Sequence, residues 1–210
     1  MLSFLPTGLK GVLSFMAYLV NTILLTVPLI LLSLLKFVFP FHPVVVILDR
    51  ALMGIAGLWI RINAVTTDLF CRTDWDIRGL DKLNPSEWYL VMSNHQSWVD
   101  ILVLQKTLHR KIPMLKFFLK KELIWVPFLG LAWWALDFPF MKRYSKEFLA
   151  KYPHLKGKDL ESTKKACQKF RHTPVSIMNF VEGTRYTPQK AKHSAFSHLL
   201  TPKAGGIAFV

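Results

Sequence analysis

A histidine and an aspartate stand five residues apart, His95 and Asp100, directly after the apolar run 88–92. In a continuous α-helix five positions turn about 500°, which would point the two side chains apart. They can therefore meet only across a turn that joins a strand to a helix. A carboxylate that holds an imidazole fixes its tautomer, leaves the other ring nitrogen free to take a proton, and stabilises the imidazolium that forms. We predict that His95 is a general base and that Asp100 orients it.

The nucleophile that such a base would activate is not evident in the chain. Ser93 and Ser97 flank His95, but neither lies in the Gly-x-Ser-x-Gly turn that exposes a hydrolase serine. We expect the substrate's own hydroxyl to be the nucleophile. The alternative is a histidine bonded to a loop carboxylate for packing alone, because His-x4-Asp pairs also occur by chance.

A second polar cluster, Glu182 to Arg185, comes at the end of the apolar run 175–181. Gly183 allows the backbone to turn closely, and Arg185 can hold a phosphate through two parallel hydrogen bonds. The alternative is a surface ion pair between Glu182 and Arg185, which would contribute little.

The elements around these clusters indicate an α/β fold. The short apolar runs 88–92 and 175–181 are predicted to be buried strands, and 159–172 has the apolar spacing of a helix that Asp159 can cap. Strands that alternate with helices imply an α/β domain, here expected to be a mixed sheet with flanking helices. Ligands bind beyond the carboxyl ends of such strands, so both clusters should share one edge of the sheet.

An N-terminal transmembrane helix is expected before this domain. Residues 11–35 carry no charge, and about 20 apolar residues suffice to cross a bilayer. A cleaved signal peptide is the competing interpretation, but its apolar core would be shorter. Lys10 alone precedes the run, whereas four basic residues follow it, so the positive-inside rule predicts a cytoplasmic catalytic domain. The four are Lys36, Arg50, Arg61 and Arg72.

Two further apolar stretches are ambiguous. Residues 51–60, between Arg50 and Arg61, are too few to span and predict a buried or interfacial helix. Residues 123–140 are rich in tryptophan but contain two prolines and Asp137. This composition fits either a surface that rests on one leaflet or an ordinary core segment.

Charge and hydropathy are segregated along the 210 residues. The chain is 52% hydrophobic yet carries a formal net charge of +14, which excludes an ordinary soluble enzyme and a purely membrane-spanning protein. Residues 142–210 hold 14 Lys or Arg against 4 acids, a balance of +10. Such a field attracts polyanions, and the membrane segment favours anionic lipids and phosphorylated substrates over nucleic acid. Cys71 and Cys167 lack metal-ligand spacing and are expected to be reduced thiols.

The division of the chain follows from these patterns. Residues 1–74 are expected to form a membrane anchor with an interfacial helix region, and residues 75–210 a catalytic domain. The final run 205–210 is apolar and has no stop signal for either element type, so we expect a domain truncated at its C-terminus.

Both polar clusters match motifs of one family. Asn94, His95 and Asp100 fit an Asn-His-x4-Asp pattern, and residues 182–185 fit Glu-Gly-Thr-Arg without substitution. The chain resembles the glycerolipid acyltransferases that include 1-acylglycerol-3-phosphate acyltransferases. The looser second motif of that family resembles 138–143, with Arg143 at its arginine position and Lys142 where many relatives carry an acid. Residues 199–203 resemble the branch that contains lysocardiolipin-type and related bacterial inner-membrane enzymes.

The resemblance implies transfer of a fatty acyl group from acyl-CoA or acyl carrier protein to the free hydroxyl of a lysophospholipid such as 1-acylglycerol-3-phosphate. It implies no metal and no cofactor beyond the acyl donor. Membrane lipids, the donor and the lysophospholipid would be the partners, with no nucleic acid, in a bacterial inner membrane with the catalytic domain facing the cytoplasm. His95 and Asp100 would be catalytic. The substrate-binding residues would be Asn94, Arg143, Glu182, Gly183, Thr184 and Arg185.

Two other functions stay open from the residues themselves. A lipid hydrolase could use the same His-Asp pair to activate water. A non-enzymatic membrane protein could bind anionic lipid through its basic surface. The family's fourth, proline-containing motif is not visible before the chain ends.

Overall fold

The computed structural model describes residues 2, 4–141, 151–152, 173–192 and 194–203. The chain divides into two compact units. The first comprises Met1–Lys82, Leu102–His109 and Ile124–Asp137, and the second Leu83–Ile101, Arg110–Leu123 and Phe138–Val210.

The first unit is helical. Its long helices are α1, Thr7–Val38, and α2, His42–Phe70, which pack against each other. A proline at the beginning of α2 suits a helix N-terminus, where its missing N–H has no intrahelical partner. The buried positions of α2 recur every three or four residues, which places them on one face. They include Leu48, Leu52, Ala56 and Ile60.

Hydrogen bonds between side chains join α1 to α2. The Asn21 Nδ2 donates to the Asn63 Oδ1 over 2.7 Å, and both residues are buried. The hydroxyls of Tyr18 and Thr67 lie 2.9 Å apart. Between helices in apolar surroundings such contacts hold the pair together, and they fix which turn of α1 faces which turn of α2.

Both helices are long and apolar enough to cross a membrane, by length and composition. Their most apolar windows have mean hydropathies of 2.2 and 1.8, and 22% of each window is buried. A core helix of a soluble protein would be mostly buried. The run 11–35, predicted as one transmembrane helix, lies inside α1. The prediction of a separate short helix at 51–60 is wrong, because α2 continues through Arg50 and Arg61.

The second unit holds a three-stranded sheet in the order β1, β5, β2. β1 spans Tyr89–Ser93, β2 Leu115–Phe117 and β5 Ser176–Phe180, so the two strands predicted from the sequence are present. A mixed sheet was expected, but all strand pairs in the described part of the chain are parallel. The register places Ser93 opposite Phe180.

Burial differs between the two predicted strands. The central strand β5 is buried at Ser176, Ile177 and Met178. β1 is an edge strand of this sheet among the described residues, and Leu90 and Met92 are 38% and 56% exposed. The prediction that both strands are buried is therefore wrong for β1, because a strand's burial depends on its place in the sheet as well as on its composition.

Short elements complete the described chain. α3 spans Val99–Leu108, and β3, Leu119–Lys120, pairs in parallel with β4, Phe140–Met141. A 3-10 helix covers Lys121–Trp125, α4 covers Leu129–Ala135, and α5 covers Pro188–Ala191. The helix predicted at 159–172 lies outside the described residues.

The segment 123–140 combines features of both interpretations that its sequence allows. Ala132 and Ala135 of α4 are buried, and α4 packs against α1. Trp125 is 85% exposed, and Phe128 and Trp134 are exposed as well. One side of the segment thus belongs to the protein core, while the other presents aromatic rings of the kind that suit a membrane interface.

Candidate active site

The two polar clusters meet at one edge of the sheet. β1 and β5 are parallel neighbours, so their carboxyl ends point the same way. The Val181 N–H donates to the Ser93 carbonyl over 3.1 Å, and the Tyr186 N–H donates to the His95 carbonyl over 2.7 Å. Backbone hydrogen bonds therefore fasten the turn after β1 to the turn after β5. This is the edge at which ligands bind in α/β sheets.

The imidazole of His95 lies against the carboxylate of Asp100. The His95 Nδ1 and the Asp100 Oδ2 are 2.8 Å apart, and the side chains are 12% and 21% exposed. α3 begins at Val99, so Asp100 stands in the first turn of a helix while His95 stands in the turn before it. The strand, turn and helix expected from the sequence bring the two residues together.

Asp100 also holds the turn itself. Its Oδ2 accepts hydrogen bonds from the N–H groups of Gln96, at 2.7 Å, and Ser97, at 2.9 Å. Partial burial opposes ionisation of this carboxyl, but the hydrogen bonds from Ser97, His95 and Gln96 outweigh it and lower the pKa of Asp100 below its ordinary value. Asp100 is therefore a carboxylate at neutral pH.

The charge of Asp100 decides the tautomer of His95. A ring nitrogen that faces a carboxylate must carry its proton, so Nδ1 is the donor and the lone pair of a neutral imidazole lies on Nε2. Within the described residues no hydrogen bond ends on that Nε2. The arrangement leaves a basic nitrogen available to a substrate.

An aromatic ring covers one face of the imidazole. The ring of Phe180 stacks on His95 with centroids 3.9 Å apart and planes inclined by 14°. Phe117 supports Phe180 from the neighbouring strand β2, at 6.2 Å between centroids. Packing thus restrains the plane of the imidazole, while the Asp100 hydrogen bond restrains its rotation within that plane.

Glu182 is fully buried, with 0% of its surface exposed. Its Oε1 accepts a hydrogen bond from the His95 N–H at 3.0 Å, and its Oε2 accepts one from the Leu200 N–H at 3.1 Å. The sequence allowed a pair between Glu182 and Arg185, but in the described residues the Glu182 carboxyl is occupied by these two backbone groups. A single side chain therefore ties the His95 turn to the segment 194–203.

Gly183 makes the turn after Glu182 possible. Its φ is +66°, a conformation that glycine adopts without the steric cost other residues meet. The Gly183 N–H donates to the Phe180 carbonyl at 2.9 Å, and a Cβ at this position would lie 3.3 Å from the Lys203 Cδ. The glycine is thus needed both for its backbone angle and for the side chain that crosses it.

Arg185 is exposed at the end of the same turn. Its guanidinium carbon lies 4.6 Å from the ring centroid of Trp98, which belongs to the turn between His95 and Asp100. Lys190 reaches back over the turn, where its Nζ donates to the Thr184 Oγ1 at 2.7 Å and to the Arg185 carbonyl at 3.2 Å. Two cations consequently stand beside the second cluster.

The remaining predicted site residues are Asn94 and Arg143. Asn94 is exposed next to His95, and its backbone carbonyl accepts from the Ser93 hydroxyl at 2.9 Å. Arg143 lies outside the described residues. Within the described ranges no cluster of three or more His, Cys, Asp or Glu side chains is placed to hold a metal ion.

Sequence reasoning assigned no role to three of these contacts. Trp98 occupies one of the four variable positions of Asn-His-x4-Asp, and Phe180 ends β5 just before the Glu-Gly-Thr-Arg motif. The parallel register of the structure sets the end of β5 beside the turn after β1. The Leu200 N–H has no signal in the sequence, because every residue type except proline offers the same backbone donor.

Comparison with known proteins identifies the family of this chain. A model of the acyltransferase family matches residues 74–209. The chain belongs to the acyltransferase family. The family predicted from the Asn-His-x4-Asp and Glu-Gly-Thr-Arg motifs is therefore confirmed, and the matched range contains both turns of the candidate site.

Individual members of the acyltransferase family are similar over a shorter range. 1-acyl-sn-glycerol-3-phosphate acyltransferase alpha of Homo sapiens is 31% identical over 111 residues, as is its counterpart in Bos taurus, and that of Mus musculus is 30% identical. These matches cover 52% of this chain and 34% of each relative. The chain thus spans about a third of the length of the relatives it matches. No solved structure matches it.

Proposed function

We propose that this protein transfers a fatty acyl group from a thioester to the free hydroxyl of a phosphate-bearing lysolipid. The observation that carries the proposal is the pairing of His95 with Asp100, at 2.8 Å, on the sheet edge that also presents Arg185. The base, with its available nitrogen, can act on the hydroxyl of the acceptor. The cation can bind the phosphate of the same acceptor molecule. The three relatives are named as acyltransferases of 1-acyl-sn-glycerol-3-phosphate, which is a phosphate-bearing lysolipid.

The reaction follows from the state of the imidazole. The His95 Nε2 takes the proton of the acceptor hydroxyl as its oxygen attacks the thioester carbonyl carbon. An ester bond forms, the carbon–sulfur bond breaks, and the thiolate leaves with the bonding electrons. The imidazolium returns its proton to the thiolate, so His95 ends as it began. Asp100, whose pKa is lowered by its hydrogen bonds, stabilises the charged ring in between.

Arg185 is assigned to the phosphate of the acceptor. Its guanidinium is exposed, and within the described part of the chain no carboxylate is bonded to it, so its N–H donors can take a phosphate. Arg143 is proposed to assist, and Asn94, Gly183 and Thr184 to line the acceptor's path. Glu182 was predicted to bind substrate; its burial supports a different assignment, in which it holds the backbone of His95.

The finer features of the reaction rest on resemblance. The acceptor proposed is 1-acylglycerol-3-phosphate, by similarity to the named relatives, and residues 199–203 are the reason to consider a lysocardiolipin-type substrate. The donor proposed is acyl-CoA or acyl carrier protein. No metal or further cofactor enters the mechanism, and no nucleic acid is a proposed partner.

A membrane location suits lipid substrates. α1 and α2 are long and apolar enough to anchor the protein, and the exposed rings of Trp125, Phe128 and Trp134 suit contact with acyl chains or headgroups. We propose a bacterial inner membrane, with the catalytic residues facing the cytoplasm, where acyl-CoA and acyl carrier protein are found.

The decisive experiment is an acyl-transfer assay with the full chain in membranes, labelled acyl-CoA and a panel of lysophospholipids. We expect diacyl product that depends on the acceptor. Arg185→Gln should raise the acceptor KM and leave the donor KM unchanged, because the side chain meets only the acceptor phosphate. An unchanged acceptor KM would remove Arg185 from the phosphate site.

The same assay tests the two alternatives. A lipid hydrolase would release labelled fatty acid without any acceptor, since the His-Asp pair would activate water instead. A non-enzymatic lipid-binding protein would give no product, and its binding to anionic vesicles would fall with salt and ignore substitution of His95.

A further inference from the structure

The ring of Trp98, in the first motif of the candidate site, contacts a charged side chain of the second motif. Trp98 stands between His95 and Asp100 in the sequence, and its ring faces Arg185 from the other motif at 4.6 Å. The ring is 65% exposed, so burial in a core does not account for a large aromatic residue at this position. Its contact with Arg185 does.

The manner of this contact leaves Arg185 able to bind. A guanidinium that lies over an aromatic ring is attracted by the ring electrons, and this contact does not pair its charge with a carboxylate. A carboxylate partner would instead occupy its N–H donors and cancel the charge. The nearest acid in the motif, Glu182, is committed to the N–H groups of His95 and Leu200.

We propose that Trp98 is a positioning residue that holds the Arg185 guanidinium ready for the phosphate monoester of the acceptor. This rests on the proposed function, because the ligand is the acceptor's phosphate. The turn that carries Trp98 is the turn that Asp100 fixes through Gln96 and Ser97. The phosphate is therefore held by a side chain whose support belongs to the same short segment as the base.

Holding the arginine in advance reduces the side-chain freedom lost when the ligand binds. Exposed contacts between a cation and an aromatic ring are weak, so removal of the ring should weaken ligand binding about 2- to 5-fold. The loss should appear in the binding of the phosphate-bearing acceptor and in its KM, with kcat little changed.

The test is the binding of a short-chain 1-acylglycerol-3-phosphate to the full chain in nanodiscs, measured by calorimetry without acyl donor. We expect Trp98→Leu to raise the Kd about 2- to 5-fold and Trp98→Phe to restore most of the affinity. Trp75→Leu is the matched control, because it removes a contact of the same kind, with Lys106 at 4.4 Å, and should leave the Kd unchanged.

A double-mutant cycle decides whether Trp98 acts through Arg185. In an Arg185→Gln background Trp98→Leu should have no further effect. An unchanged Kd for Trp98→Leu, the same loss in the Arg185→Gln background, an equal loss for Trp75→Leu, or no binding by the wild type would each overturn the proposal. Trp98→Gln repeats the measurement if Trp98→Leu does not fold.

A parallel acyl-transfer assay separates this proposal from the proposed function. If the wild type transfers acyl groups but Trp98→Leu binds the acceptor as well as the wild type, the role of Trp98 falls alone. If the cycle behaves as expected but no lysolipid is acylated, the acyltransferase proposal falls and the anion-holding role of Trp98 stands.

Discussion

The two turns at the edge of the sheet are held in opposite ways. The turn after β1 is fixed locally, because Asp100 accepts from the ring of His95 and from the backbone of Gln96 and Ser97, all within five residues. The turn after β5 is fixed at long range, because Glu182 accepts from His95, 87 residues away in sequence, and from Leu200, 18 residues away.

This difference separates the pair proposed to take part in the reaction, His95 and Asp100, from Glu182, which holds distant segments of the chain together. The local arrangement holds His95 and Asp100 within hydrogen-bond reach through contacts inside one short segment. The buried Glu182 instead makes the position of that base depend on a distant part of the chain. Substitution of His95 should therefore act mainly on rate, and substitution of Glu182 mainly on stability.

The largest effect is expected for His95→Ala. Loss of a general base typically lowers kcat about 10²–10⁴-fold, while acceptor binding, which depends on Arg185, should be retained. Steady-state acyl transfer and acceptor binding in the same preparation measure both. His42→Ala, which removes an exposed imidazole at the beginning of α2, is the control. Near wild-type turnover in His95→Ala would end the mechanism proposed here.

Asp100→Asn should lower kcat by about 10²-fold. All three hydrogen bonds end on one oxygen, Oδ2, so an amide oxygen in its place can accept them, and only the charge that stabilises the imidazolium is lost. Asp100→Ala removes the acceptor as well and should also lower the free energy of unfolding. Equal kcat and equal stability for the two variants would contradict the idea that the charge of Asp100 serves the reaction while its hydrogen bonds hold the turn.

The lowered pKa of Asp100 gives this comparison a pH dependence. A folded-state pKa below the ordinary value of 3.8 means that the ionised carboxylate stabilises the fold above that pH. The stabilisation is lost as the pH falls through the folded-state pKa. The difference in unfolding free energy between wild type and Asp100→Asn should thus shrink as the pH falls below about 4. A difference that grows as the pH falls below about 4 would be inconsistent with the assignment.

Glu182→Gln is expected to lower the free energy of unfolding by about 1–3 kcal/mol, since the amide presents an N–H₂ to a buried backbone donor and leaves it unsatisfied. Denaturant unfolding in detergent measures this loss. Glu122→Gln, at an exposed carboxylate, serves as the control and should cost little. If Glu182→Gln alters kcat without altering stability, the residue acts on the reaction directly.

The smallest effect is expected for Gly183→Ala. A Cβ at a φ of +66° costs about 1–2 kcal/mol, and displacement of the Lys203 side chain adds to that cost. Gly79→Ala is the matched control, because Gly79 has a φ of +78° and nothing within 4 Å of the added Cβ. We expect Gly183→Ala to be the more destabilising of the two in denaturant unfolding. Adding Lys203→Ala to Gly183→Ala should remove only the part of the destabilisation that exceeds that of Gly79→Ala.

The parts of the site that the sequence predicted are those encoded within a few residues. The strand before His95 and the helix after it followed from local apolar patterns, and their junction brought His95 to Asp100. The role of Glu182 did not follow, because its partners are backbone N–H groups that residue identity does not reveal. The extent of α2 was missed for a related reason: Arg50 and Arg61 interrupt an apolar pattern without interrupting a helix.

The sequence by itself determined the family, the proximity of His95 to Asp100, the strands β1 and β5 and the apolar N-terminal helix, because short-range spacing and residue chemistry specify each of them. Only the tertiary structure decided that β1 and β5 are parallel neighbours, that Phe180 covers the imidazole, that Trp98 faces Arg185, and that Glu182 ties His95 to Leu200. Those contacts join residues far apart in the chain, and their geometry arises when the strands pair and the sheet brings their ends to a common edge.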